Sequence, residues 1–111
     1  MINKKKIKNT RFNNNPVFSI ITVVKNGEKY LEKTIKSVLS QKFKNFEYII
    51  IDGGSTDRTL KIIKKYDKKI KKWVTEKDKG IYYAFNKGMN FARGQFICMV
   101  NSDDILKKNA L

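Results

Sequence analysis

Residues 18–24, FSIITVV, are apolar on both faces and rich in β-branched side chains, the pattern of a strand buried on both sides of a parallel sheet. Asn26-Gly27 ends that run. Leu31, Ile35, Val38 and Leu39 then recur at helical spacing, so an amphipathic helix follows. Residues 46–51, FEYIII, form a second apolar strand. DGGSTD at 52–57 is a polar turn in which Ser55 or Asp57 caps the next helix, whose inner face carries Leu60, Ile63 and Tyr66. A lysine-rich connection leads to a short strand around 73–75. Ile81, Ala84, Phe85, Gly88 and Ala92 mark a third helix, with Gly94 expected as the residue just past its end. Residues 95–100, QFICMV, are the fourth strand and run into NSDD at 101–104. The order β-α-β-α-β-α-β predicts an α/β fold, a Rossmann-like layer with a mainly parallel sheet and helices on both faces. Residues 1–16 are polar and basic, with NNNP at 13–16 as a loop signal. They read as a flexible basic arm in front of a domain spanning 17–111.

In open parallel sheets, ligands bind beyond the carboxyl ends of the strands. The polar motifs fall there: Lys25-Asn26, Asp52-Gly53-Gly54, Asp78-Lys79-Gly80 and Asp103-Asp104 follow the four strands in turn. The adjacent carboxylates of Asp103 and Asp104 are the sharpest chemical sign. A hard divalent cation offsets their repulsion and also binds phosphate oxygens, although a turn or helix cap uses the same residue type. Asp52 can accept hydrogen bonds from a ribose or a base edge, and the glycines after it allow close ligand approach. An ordinary turn with a capping acid has the same sequence. The Walker A and G-x-G-x-x-G spacings are absent. With no histidine in the chain, His-based triads and zinc–histidine sites are excluded.

The 111 residues allow one domain, and no apolar run approaches the roughly 20 residues of a membrane-spanning helix. A net charge of +15 invites a nucleic-acid reading, but 22 of the 25 cations are lysine, whereas base readers lean on arginine. Lys, Asn and Ile all use A/T-rich codons and supply 22, 11 and 14 residues. The charge therefore reads first as solvated surface and codon bias. Attraction to anionic lipid or phosphate-bearing substrates comes second, and no specific nucleic acid is expected. The single cysteine, Cys98, lies inside a strand and reads as a core residue. One cysteine and no signal peptide fit a cytoplasmic location.

Taken in order, these segments resemble the inverting family 2 glycosyltransferases of the GT-A fold. The resemblance covers residues 17 to about 106. It rests on FSIITVVKN (18–26), SVLSQ (37–41), YIIIDGGSTD (48–57), EKDKGIY (76–82), NKG (86–88), ARG (92–94) and NSDD (101–104). Seven motifs in register are specific where any one is weak. The resemblance implies hexosyl transfer from a nucleotide-diphosphate sugar, a UDP-sugar above all, to a glycan or lipid-linked acceptor. It also implies a divalent metal, Mg²⁺ or Mn²⁺. On this resemblance Asn26, Asp52, Gly53, Asp78 and Asp103 belong to the nucleotide-sugar site. Asp104 is the expected direct metal ligand, with Asp103 beside it and turned toward sugar or ribose hydroxyls. The implied chemistry is attack by an acceptor hydroxyl on the anomeric carbon, proton removal by a carboxylate base, and metal neutralisation of the leaving diphosphate.

Several positions depart from the common pattern. Asn101 stands where many members carry the first acid of D-x-D. Gly53 replaces a second aspartate after Asp52, and Lys25 replaces a common tyrosine. In the family, the acceptor-binding half and the base lie beyond the point corresponding to residue 111. The expectation is therefore a truncated, N-terminal donor-binding half with no catalytic residue within the chain and no activity alone. Its expected place is the cytoplasm, with peripheral association at the inner face of the plasma membrane. The competing reading is a non-catalytic nucleotide-binding or interaction module using the same rim. A receiver-type phospho-acceptor domain fails because Val24-Lys25-Asn26 supplies no acid pair after the first strand.

Overall fold

The computed structural model describes residues 2–4, 15–77 and 79–111. One sheet contains β1 (Ile2–Lys4), β2 (Phe18–Val24), β3 (Phe46–Asp52), β4 (Lys72–Thr75) and β5 (Phe96–Met99). The connections carry α1 (Leu31–Leu39), α2 (Thr59–Lys65) and α3 (Ile81–Phe91), and a 3-10 turn at Asp67–Lys69 precedes β4. Across the sheet the order is β1-β5-β2-β3-β4. Strands β2 to β5 run parallel, as the alternating pattern predicts, and β1 pairs antiparallel with β5. That pairing differs from the expected arm. Ile2 lies opposite Cys98 and Lys4 opposite Phe96, so this segment covers an edge of β5 whose backbone groups would otherwise lack ladder partners. Residues 5–14 of the expected arm lie outside the described residues.

The apolar run of β2 and β3 serves two cores, because successive side chains on a strand point to opposite faces. Ile20, Val24, Tyr48 and Ile50 meet Leu31, Ile35, Val38 and Ile63 of α1 and α2. Ile21, Ile49 and Ile51 meet Ala84 of α3 on the other side. Each fully buried isoleucine contributes about 1.5–3 kcal/mol. Tyr48 is buried with its hydroxyl 2.8 Å from Thr22 Oγ1, the partner a buried phenol requires. Burial drives its pKa upward, against the pull of that hydrogen bond. Cys98 is buried as expected, and burial pushes its thiol pKa up.

Gly94 does not end α3 in a left-handed conformation. Positive φ among the described glycines occurs at Gly54 and Gly80, and Ala92 is already extended past the helix. Gly94 answers a close approach instead. A Cβ there would sit 2.7 Å from the Phe18 carbonyl carbon and the Ser19 nitrogen. Its N–H donates to Ser19 Oγ at 2.8 Å. Between β2 and β5 the crossovers diverge: the chain leaves β2 through α1 on one face and enters β5 from α3 on the other. Such a switch point opens a crevice at the carboxyl edge.

Candidate functional site

The loops after β2 and β3 are laced into one unit. Asn26 sits at φ 51, a left-handed conformation that asparagine tolerates. Its N–H donates to Ser55 Oγ at 2.7 Å, and its Oδ1 accepts the Thr56 N–H at 2.8 Å. The Gly27 N–H donates to Thr59 Oγ1, the Glu28 N–H to Asp57 Oδ2, and the Gly53 N–H to the Val24 carbonyl. Neither expected cap occupies the cap position of α2, which is Arg58; Asp57 precedes it, and its Oδ1 accepts the Thr59 N–H at 2.9 Å. Burial disfavours charge on Asp57, but hydrogen bonds from Thr59 and from the Glu28 amide prevail and hold its carboxyl below the usual carboxylate range. Ser55 serves the loop differently, by donating its hydroxyl to Asp52 Oδ1 at 2.5 Å.

Asp52 lies beneath this lacing and is fully buried. Its Oδ2 accepts the Gly54 N–H, the Ser55 N–H and the Thr75 hydroxyl at 3.1, 2.9 and 2.7 Å. The carboxylate is thus the anchor of the DGGSTD turn, and through Ser55 it also holds the Asn26 backbone. Gly54 takes φ 84 to make the turn, with a virtual Cβ 3.2 Å from Lys77 Cα.

A cleft of about 410 Å³ opens above the turn, at the switch point between β2 and β5. Three expected site residues, Asn26, Gly53 and Asp103, line it together with Lys25, Asn101 and Ser102. Tyr30, Ile81 and Ala84 supply an apolar wall. Sequence reasoning passed over Gly27 and Tyr30 as lining residues and assigned Ile81 and Ala84 to helix packing alone. The available signal was position: Ile81 and Ala84 occupy the first turn of α3, at the carboxyl edge. Asp104 stands beside the cleft rather than among its lining residues, with Oδ2 accepting the Asn101 N–H at 3.2 Å. Asp103 and Asp104 are both exposed. Asp78 lies outside the described residues. Among the described residues there is no group of three or more His, Cys, Asp or Glu side chains placed to hold a metal ion.

The sequence pattern of the family described as "Glycosyl transferase family 2" matches residues 19–111. The chain belongs to that family. A glycosyltransferase of Haemophilus influenzae without an assigned role is 40% identical over 101 residues, which cover 88% of this chain and 40% of that protein. The putative teichuronic acid biosynthesis glycosyltransferase TuaG of Bacillus subtilis is 37% identical, over 86% of this chain and 39% of its own length. The chain therefore spans about two fifths of the length of these relatives. Among solved structures, residues 1–349 of S. aureus TarS in complex with UDP-GlcNAc align with a TM-score of 0.76 at 33% identity. That alignment covers 82% of this chain and 28% of TarS 1–349. The family 2 domain here has the α/β sheet of the GT-A fold over that part. No described helix is long and apolar enough to cross a membrane.

Proposed function

We propose that the cleft takes the nucleoside diphosphate of a nucleotide-sugar donor, and that this chain is the donor-binding portion of a hexosyl-transferring enzyme. The observation that carries the reading is the convergence of Asn26, Gly53 and Asp103 on the switch-point cleft of a family 2 chain. The TarS complex with UDP-GlcNAc supports a UDP-sugar as the donor. With their N–H groups and Asn26 Oδ1 spent on the loop lacing, Asn26 offers its Nδ2 and Gly53 its carbonyl oxygen and side-chain-free surface to the nucleotide. Asp52 serves the site from behind by holding both loops, and Asp78 is assigned to the nucleoside side by its motif.

A divalent cation, Mg²⁺ or Mn²⁺, suits the donor set of Asp103 and Asp104. Mg²⁺ needs only one or two carboxylates when phosphate oxygens and water complete its shell. When bound, it would neutralise charge growing on the leaving diphosphate. Inverting transfer to a glycan or lipid-linked acceptor, with its carboxylate base, is proposed for the whole enzyme. This chain alone binds donor without transferring sugar. Lysines at the amino end of the sheet support peripheral seating on an anionic, cytoplasm-facing membrane surface.

Calorimetric titration of the chain with UDP, with and without Mn²⁺, tests the reading. Metal-dependent binding is expected, weakened at least about tenfold, or ~1.4 kcal/mol, in Asp104→Ala. A folded chain that binds none of UDP, GDP or dTDP overturns it. Nucleotide binding indifferent to metal would favour the non-catalytic module instead.

A further inference from the structure

We propose that α1 is the positioning element of the acid pair. A buried polar strip of Thr34 and Ser37 on α1, continued by Gln41 just past its end, fastens residues 102–111 and so sets where Asp103 and Asp104 stand at the cleft. The consequence for ligand binding rests on the donor-site reading above; the placement itself does not.

Residues 101–111 contain no helix or strand, so their backbone groups need other partners. Thr34 and Gln41 are fully buried and Ser37 nearly so, which is costly for polar side chains unless they are hydrogen-bonded. Thr34 and Ser37 share one face of α1 by their spacing of three, and Gln41 follows just past the C-cap residue Ser40. The Thr34 hydroxyl has one proton to donate, and the Asp104 carbonyl oxygen, at 2.6 Å, is nearer to it than those of Ser102 at 2.9 Å and Tyr30 at 3.4 Å. Ser37 Oγ accepts the Leu106 N–H at 2.9 Å. Gln41 donates from Nε2 to the Lys107 carbonyl at 2.6 Å and accepts the Leu111 N–H at Oε1. Just beyond, the Lys42 N–H donates to the Lys108 carbonyl. Leu106 and Leu111 pack against the core on the same side.

The strip thus meets the segment at five residues, and Thr34 lies against the carbonyls of Ser102 and Asp104, on either side of Asp103. Asp104 is held at three points: its carbonyl by Thr34, its N–H by the Asn101 carbonyl, and its carboxylate by the Asn101 N–H. Two of these close the Asn101 turn on itself. Among the described residues, the hydrogen bond from Thr34 is the one that ties that turn to the body of the protein through Asp104. A threonine there supplies a donor on a rigid, β-branched stem, which valine reproduces in shape without the donor.

Amide hydrogen exchange and UDP–Mn²⁺ titration of Thr34→Val and Thr34→Ser separate the possibilities. In Thr34→Val without ligand, the Asp104 amide should exchange at least tenfold faster while the amides of Ile21 and Ile50 keep their protection. Thr34→Ser should restore the wild-type rate. Unchanged exchange at Asp104 in Thr34→Val overturns the proposal. If the wild type binds UDP–Mn²⁺, Thr34→Val should weaken binding about tenfold and Thr34→Ser should not. Equal affinity in Thr34→Val would refute the positioning role and leave the donor site standing. A wild type that does not bind refutes the donor reading, while the exchange data still decide the placement. Should Thr34→Val fail to fold, Ser37→Ala removes the acceptor of the Leu106 N–H. Exchange at Leu106 and Asp104 should then rise together, and no rise at either would count against the proposal.

Discussion

At Asp52, a fully buried carboxylate accepts four hydrogen bonds from Gly54, Ser55 and Thr75. Removing it leaves those donors inside the turn with no acceptor, and each buried unsatisfied group costs about 1–3 kcal/mol. Asp52→Ala should therefore lower unfolding free energy by on the order of 3 kcal/mol, measured by urea denaturation. A variant as stable as the wild type that had lost only UDP affinity would place the carboxylate on the nucleotide instead. In the sequence the two roles are indistinguishable, because an aspartate after an apolar strand suits a ribose and a tight turn equally. Gly94 was ambiguous in a similar way. A glycine after a helix suggests a left-handed end, and only the packed backbone of Phe18 and Ser19 reveals the steric reason.

At the scale of elements, α1 and α2 are joined at the surface by Glu32, whose carboxylate accepts from Lys65 Nζ at 2.7 Å and from the Tyr66 hydroxyl at 2.5 Å. Those hydrogen bonds, from Lys65 first and Tyr66 second, hold the Glu32 carboxyl below its ordinary value. A depressed folded-state pKa means that the contribution is complete above the unfolded value and is lost as pH falls through the folded one. The melting temperature should therefore drop below about pH 4.5, with Asp57 adding to the same acid limb. Glu32→Gln should flatten that limb in a series of thermal melts, and an unaltered slope would show that the bridge contributes nothing. The elements themselves were legible because β2 and β3 are apolar without interruption and the helices repeat at their own period. The strip on α1 was not. Thr34 and Ser37, with Gln41 just past the helix, look like a solvated face until the segment that covers them arrives from 66 to 70 residues further along the chain. The cleft was half legible: strand ends predicted Asn26, Gly53 and Asp103, while Tyr30 carries no local mark of facing a crevice.

Over the whole molecule, charge is sorted along the strand direction. Asp52 ends β3, and Glu28, Asp57, Glu76, Asp103 and Asp104 follow the carboxyl ends of strands, the edge at which the cleft opens. Lys42, Lys44, Lys68, Lys69, Lys71 and Arg93 precede the amino ends of β3, β4 and β5. The two acids at that end are already engaged. Glu47 accepts from the Ser19 hydroxyl and the Arg93 N–H, and Asp67 accepts from Trp73 Nε1. The amino end thus presents lysines to any anionic surface, at about 1 kcal/mol for each one brought near. In sedimentation assays the chain should bind phosphatidylglycerol vesicles at low salt and release them as salt rises, because exposed charges are screened beyond a Debye length. Replacing Lys68, Lys69 and Lys71 by glutamate should weaken binding by about tenfold or more. Replacing Lys29, Lys77 and Lys79 near the carboxyl end makes the same change in net charge on the other side. If both triple variants lose affinity equally, total charge alone drives binding. If only the amino-end variant does, the protein sits on the membrane with its cleft turned outward, toward soluble nucleotide sugar.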